Sequence, residues 1–166
     1  MDESKFKKLI VPHFDTAYSL ARWLTRNDAD AADVIQDSCL KAFRFLAKMS
    51  SDSPRAWFLQ IVRNTSYTLL KNKKQYVEMA SESDVADLQP DAETILGQNA
   101  SAKILREALD ELTVEYKEIL VLRELEELSY DEISEVIQIP HGTVMSRLAR
   151  ARAQLKKILI SKGALS

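Results

Sequence analysis

Apolar residues recur along this chain at the helical spacing i, i+3, i+4, i+7, and period-2 alternation is scarce. Residues about 4 to 26 carry Phe6, Leu9, Ile10, Ala17, Leu20, Ala21 and Leu24 in such a pattern, with Pro12 dividing it or marking the start of its main part. Thr25-Arg26-Asn27-Asp28 reads as a stop followed by a new cap. A second helix is predicted from about Asp30 to Met49, with Ile35, Cys39, Ala42, Phe43 and Leu46 as its buried face. Ser53-Pro54 suits a third helix start, serine as cap and proline in the first turn. That helix, 54 to 75, has Trp57, Phe58, Ile61, Val62, Thr65 and Leu69 on its apolar side. Further helices are predicted from about Asn99 to Leu112, with Ile104, Leu105, Ala108, Leu109 and Leu112 inward, and from about Thr113 to Glu126, with Tyr116, Ile119, Leu120 and Leu122.

The last part of the chain carries the most specific pattern. Ser129 followed by Glu132 is a capping-box signature, so a helix should begin at Tyr130, with Ile133, Val136 and Ile137 on one face. Pro140 ends it, because proline clashes with a preceding helical turn and lacks an N–H donor. A second helix follows, with Val144, Leu148, Ala151 and Leu155 inward and Thr143, Ser146, Arg147 and Arg150 on another side, Arg152 at the flank. This is a helix-turn-helix pattern. Two amphipathic helices with a solvated arginine face also occur in ordinary bundles, so spacing alone leaves both readings open.

Composition and charge narrow the choice. The chain has 166 residues with only three Gly and four Pro, which favours an all-α protein. Net charge is −2, which argues against a general nucleic-acid binder, but the charge is segregated. From Val136 to the end there are six Lys/Arg and no acid, whereas Glu107 to Glu135 holds eleven acids and two bases. From Arg55 to Lys74 there are five bases and no acid, with Tyr67 inside the stretch and Tyr76 just after it, a mix suited to tracking a nucleic-acid backbone and stacking on bases. Residues 77 to 98 contain six acids, no base, Pro90 and Gly97, the composition of a flexible linker. The expected organisation is two small helical domains, 1–76 and 99–166, joined by a flexible acidic linker, 77–98.

No Gly-rich phosphate loop, nucleophile grouping or metal-ligand spacing occurs, and Cys39 is the sole cysteine, expected in the core. The chain therefore reads as a non-enzyme without cofactor or metal. It has neither a signal-peptide pattern nor a membrane span and reads as cytoplasmic.

Four motifs, in order and spacing, carry a resemblance. Asp30-Ala-Ala-Asp-Val-Ile-Gln-Asp37, Arg55-Ala-Trp-Phe-Leu-Gln-Ile-Val-Arg-Asn64, Leu128-Ser-Tyr-Asp-Glu-Ile133 and Pro140-His-Gly-Thr-Val-Met-Ser-Arg-Leu-Ala-Arg-Ala-Arg152 resemble those of the extracytoplasmic-function sigma factors of the sigma-70 family. The resemblance implies a region 2-like domain at 1–76, which binds the polymerase clamp and the minus-10 element, and a region 4-like domain at 99–166, which binds the minus-35 element. It implies that Asp33, Gln36, Asp37, Leu40 and Arg44 meet the clamp of RNA polymerase. Arg63, Asn64, Tyr67, Lys71, Lys73 and Lys74 are then expected at the melted minus-10 DNA. His141, Thr143, Ser146, Arg147, Arg150 and Arg152 are expected at the minus-35 duplex. Partners would be core RNA polymerase, promoter DNA and, as a further candidate, an anti-sigma factor. No appended sensory domain is expected. Gln138 and Glu127 stand where the family usually has Gly, and Met145 where it often has Arg or Lys. The alternatives are a stand-alone helix-turn-helix regulator and a sigma-like adaptor that drives no promoter.

Overall fold

The computed structural model describes residues 3–79 and 100–166. The described residues are helical, with no strand among them. The chain divides into two compact units, one built mainly on residues up to 89 and the other mainly on those from 90 onward. Of the expected linker, residues 77–79 continue a helix, and 80–98 lie outside the described residues.

The first unit begins with α1 (Glu3–Leu9) and a short 3-10 turn at Val11–His13 that contains Pro12. α2 (Phe14–Thr25) ends where Arg26 turns left-handed, φ 60°, its N–H bonded to the Arg22 carbonyl. The Asn27 side chain then accepts from the Asp30 N–H at 2.9 Å and caps α3 (Asp28–Phe45). Arg22 Nε donates to Asp28 Oδ1 at 2.5 Å and ties the two helices across the corner. α4 (Pro54–Met79) starts with Ser53 Oγ accepting from the Ala56 N–H at 3.1 Å. α2, α3 and α4 pack on one another in pairs.

The core face of α3 differs from the sequence reading. Ala31, Val34, Ser38 and Ala42 are the buried positions, with Leu46 just beyond the helix. Ile35 and Cys39 are half-buried, and Phe43 is 40% exposed. Small side chains at 31, 38 and 42 let α3 approach its neighbours closely, and the larger apolar residues are turned to the flanks. A pattern weighted by side-chain size therefore picks a stripe rotated away from the true one. α4 shows a milder version: Phe58, Val62 and Thr65 are buried as expected. Ala56, Leu59 and Ser66 join them, while Trp57, Ile61 and Leu69 are half-buried. Burial pushes the Cys39 thiol above its ordinary value, which disfavours the thiolate and makes it a poor nucleophile.

The second unit contains α5 (Ala100–Glu111), α6 (Val114–Leu120), α7 (Tyr130–Ile137) and α8 (His141–Ser161). Ala108, Leu109 and Leu112 of the expected α5 stripe are buried, Ile104 is half-buried, and Leu105 is 39% exposed, rotated off the contact. α6 packs on α8, as does α5. The predicted helix 113–126 does not stay α-helical. It widens into a π turn over Val121–Leu125 and leaves through Glu127 at φ 58°. Lys117 and Glu118 are buried among apolar neighbours in sequence, and Lys117 Nζ donates to Asp110 Oδ1 at 3.2 Å.

Candidate nucleic-acid interface

On α4 the residues expected at melted DNA fall into two groups. Asn64, Lys71 and Lys74 are exposed. The Arg63 guanidinium lies over the Tyr67 ring, 4.1 Å from its centroid, so these two half-buried side chains form one cation–π unit. Lys73 is turned the other way: its ammonium pairs with the Asp30 carboxylate at the start of α3. That places Lys73 in the α3–α4 packing rather than beside Lys71 and Lys74. Tyr76, near the end of α4, is 67% exposed. The exposed strip is thus basic, polar and aromatic, the chemistry that tracks a single strand and stacks on its bases.

The opposite face of α3 presents Asp33, Gln36, Asp37, Leu40 and Arg44, all exposed, as the sequence pattern requires. Leu40 is 62% exposed. Asp37 pairs with Lys41 at 3.2 Å one turn on, and Lys41 also donates to Thr65 Oγ1 of α4 at 3.1 Å. A solvent-facing strip of carboxylates around one apolar side chain suits a protein contact.

The helix-turn-helix forms as the sequence reading requires. Ser129 Oγ accepts from the Glu132 N–H, and the Glu132 carboxylate accepts from the Ser129 N–H, both at 3.1 Å. α7 ends at Gln138, φ 57°, its N–H bonded to the Ser134 carbonyl. Ser134 Oγ donates to the Ile139 carbonyl at 2.5 Å and clamps the turn from inside. α8 then buries Val144, Leu148 and Ala151, with Leu155 half-buried.

The six α8 residues expected at the duplex do not share one face. At ~3.6 residues per turn, His141 and Arg152 lie on one side of the buried stripe, and Thr143, Arg147 and Arg150 on the other. Directly outward lie Gly142, Ser146, Ala149 and Ala153, all exposed and small, with Met145 beside them at 52% exposure. A strip of small residues edged by Arg150 lets the helix approach a groove closely. Arg147 and Arg150 make no ion pair among the described residues. His141 and Arg152 are engaged within the protein. His141 Nδ1 is 2.9 Å from Asp131 Oδ1, and Arg152 bonds to Glu124 at 2.6 and 2.7 Å. Sequence reasoning missed the pairs Asp30–Lys73 and Glu124–Arg152. Their members are 43 and 28 residues apart, and nothing local in the sequence links them. No helix among the described residues is long and apolar enough to cross a membrane.

Comparison with known proteins follows the same two units. The family described as Sigma-70 region 2 matches residues 9–76, and Sigma-70, region 4 matches residues 102–155. The chain is similar to the ECF RNA polymerase sigma-E factor of Haemophilus influenzae, 33% identical over 148 residues that cover 82% of this chain and 77% of that protein. It is 31% identical to RNA polymerase sigma factor SigV of Bacillus subtilis over 158 residues, 95% of this chain and 92% of that one. It is 30% identical to ECF RNA polymerase sigma factor SigE of Mycolicibacterium smegmatis, and there it spans 60% of the relative's length. Two solved structures share the fold. One is the sigma factor RpoE of Bartonella quintana, in complex with the anti-sigma factor NepR (TM-score 0.74, 24% identity, 93% of this chain and 96% of that one). The other is CnrH in complex with the cytosolic domain of CnrY (TM-score 0.70, 24% identity, 94% and 88%). With both sigma regions matched in order and relatives of this identity covered over most of their length, the chain belongs to the extracytoplasmic-function group of the sigma-70 family of RNA polymerase sigma factors.

Proposed function

We propose that this chain is an alternative sigma factor that binds core RNA polymerase and directs initiation at its own class of promoters. In this reading the α3 face of Asp33, Gln36, Asp37, Leu40 and Arg44 docks on the polymerase clamp. The exposed strip of α4, with Asn64, Lys71, Lys74 and the Arg63–Tyr67 pair, holds the opened strand at the minus-10 element. Lys73, paired with Asp30, holds α4 against α3 and is not counted among the strand contacts. The N-terminal half of α8 reads the minus-35 duplex through Thr143, Ser146, Arg147 and Arg150. The chain has no catalytic role of its own; polymerase supplies the chemistry. An anti-sigma factor that covers these surfaces is a further partner, by analogy with the RpoE–NepR and CnrH–CnrY complexes.

The observation that carries this reading is the pair of exposed, chemically distinct faces on one unit, acidic-apolar on α3 and basic-aromatic on α4, joined in one chain to a helix-turn-helix. A stand-alone regulator needs only the last. Opening DNA costs unstacking energy that stacking on protein partly offsets. Two weak DNA contacts held on one polymerase gain from effective concentration. A chain of net charge −2 that reads DNA only within a complex is consistent with both.

The test is run-off transcription by bacterial core polymerase on genomic fragments that include the region upstream of this gene. Defined transcripts should appear only when protein and core are both present. Arg150→Ala should weaken promoter use by about 1–3 kcal/mol if it reads a base. Absence of transcripts with DNA binding by the protein alone would favour the regulator instead.

A further inference from the structure

Irregular backbone gathers at one place in the second unit. The π turn Val121–Leu125 and left-handed Glu127 stand immediately before the helix-turn-helix. A π turn disfavours itself energetically and recurs at functional positions, and a non-Gly residue at positive φ is strained. What this backbone does here is aim two adjacent side chains. Arg123 donates to the Leu128 carbonyl at 2.8 Å and lays its guanidinium over the Tyr130 ring, 4.6 Å from the centroid. Glu124 reaches α8 and takes both Nε and Nη2 of Arg152 on one carboxylate oxygen, at 2.7 and 2.6 Å. The Tyr130 and His141 rings meet at a steep angle, 5.7 Å between centroids, and Asp131 holds His141 Nδ1. Arg152 is held above the ordinary arginine value, first by its hydrogen bond to Glu124, with the Tyr130 side chain contributing.

These contacts grip α8 at two levels, through His141 at its first residue and Arg152 three turns on, both on the same flank. A helix held at two heights on one side cannot roll about its axis without breaking one of them. We propose that Glu124 and Arg152, with Tyr130 as hub, are positioning residues that fix the rotation of α8 on the core, and that Arg152 sets sequence preference without itself touching DNA. The proposal rests on the reading of α8 as the minus-35 reader, and it removes Arg152 from the DNA contacts that the resemblance implies. Ion pairs at half-exposed positions are individually weak. Here the pair acts by geometry: a small roll displaces Arg150 and Ser146 together from the base edges they would read.

The experiment uses holoenzyme, made from the full chain and core polymerase, on a promoter fragment found by run-off transcription. Affinity for that fragment is compared with affinity for a copy whose minus-35 element is scrambled, over a series of salt concentrations. Glu124→Gln and Arg152→Gln should each reduce the discrimination by a similar, roughly two- to fivefold factor. The double variant should be no worse than either single one. The slope of log affinity against log salt should not change in any of the three. The charge swap Glu124→Arg with Arg152→Glu should recover discrimination that Arg152→Glu alone loses. Circular dichroism checks that each variant keeps its helical content.

The proposal is overturned if Arg152→Gln lowers the salt slope by about one unit, the mark of a lost phosphate contact. It is equally overturned if Glu124→Gln tightens binding, which would make Glu124 a competitor for a DNA-contacting Arg152, or if discrimination is unchanged in every variant. Wild-type holoenzyme indifferent to the scrambled element would instead refute the minus-35 reading of α8, an outcome distinct from all of these.

Discussion

Gln138 and Glu127 hold the left-handed backbone of the two turns that bracket α7, at φ 57° and 58°. The family resemblance led to the expectation of Gly at both positions, and the left-handed backbone gives a non-Gly residue there a cost. A side chain in this region costs roughly 1–2 kcal/mol, partly offset by the greater freedom Gly has when unfolded. Gln138→Gly should therefore stabilise the chain by about 1 kcal/mol in urea unfolding, and no gain would mean that Ser134 and its bond to Ile139 already relieve the turn. Nothing in the local pattern around Lys117 singles it out. It is 4% exposed and bonded to Asp110, whereas a lysine in a helix pattern ordinarily reads as surface. Its removal takes a charge-assisted hydrogen bond from a partly buried carboxylate, so Lys117→Ala should destabilise by about 2–3 kcal/mol. A loss below half a kcal/mol would show that solvent reaches Asp110 freely.

At the scale of elements, caps and breaks were the most legible features. Ser129–Glu132, Asn27 and Ser53 act as the sequence pattern requires because capping is local chemistry, settled within three residues. The exposed face of α3 was legible as well, since polar residues at 33, 36, 37 and 44 have nowhere else to go. Its buried face was not, because alanine and serine at a close helix crossing carry little hydrophobic signal. The π turn after α6 was illegible for a related reason: Val121–Leu125 has ordinary helix-forming residues, and no Gly or Pro marks the widening. Asp37→Arg removes an exposed pair with Lys41 worth a few tenths of a kcal/mol, so helical content and thermal midpoint should barely move. Core-polymerase affinity should fall by at least tenfold in a pull-down or fluorescence titration. Wild-type affinity would detach this face from polymerase.

For the whole molecule, the division into two helical units was legible from charge and composition, because a long acidic stretch poor in large apolar residues separates two strongly periodic ones. The exact end of the first was not, since α4 runs on to Met79 through residues that composition assigns to the linker. Within the candidate interfaces, residue types were legible and partnerships were not. Lys73 turned to Asp30 and Arg152 turned to Glu124 are long-range pairings that no local pattern encodes. In the proposed division of tasks, the first unit opens the strands and the second reads the duplex. Permanganate footprinting of the promoter in holoenzyme tests this directly, because it detects unpaired thymines. The wild type should open the minus-10 region. Combined Asn64→Ala and Lys71→Ala should leave promoter binding detectable while abolishing that reactivity, and Arg150→Ala should reduce binding while the complexes that form still open. If the α4 variant opens DNA as well as the wild type, or if Arg150→Ala blocks opening in complexes that are fully bound, the assignment of the two tasks to the two units is wrong.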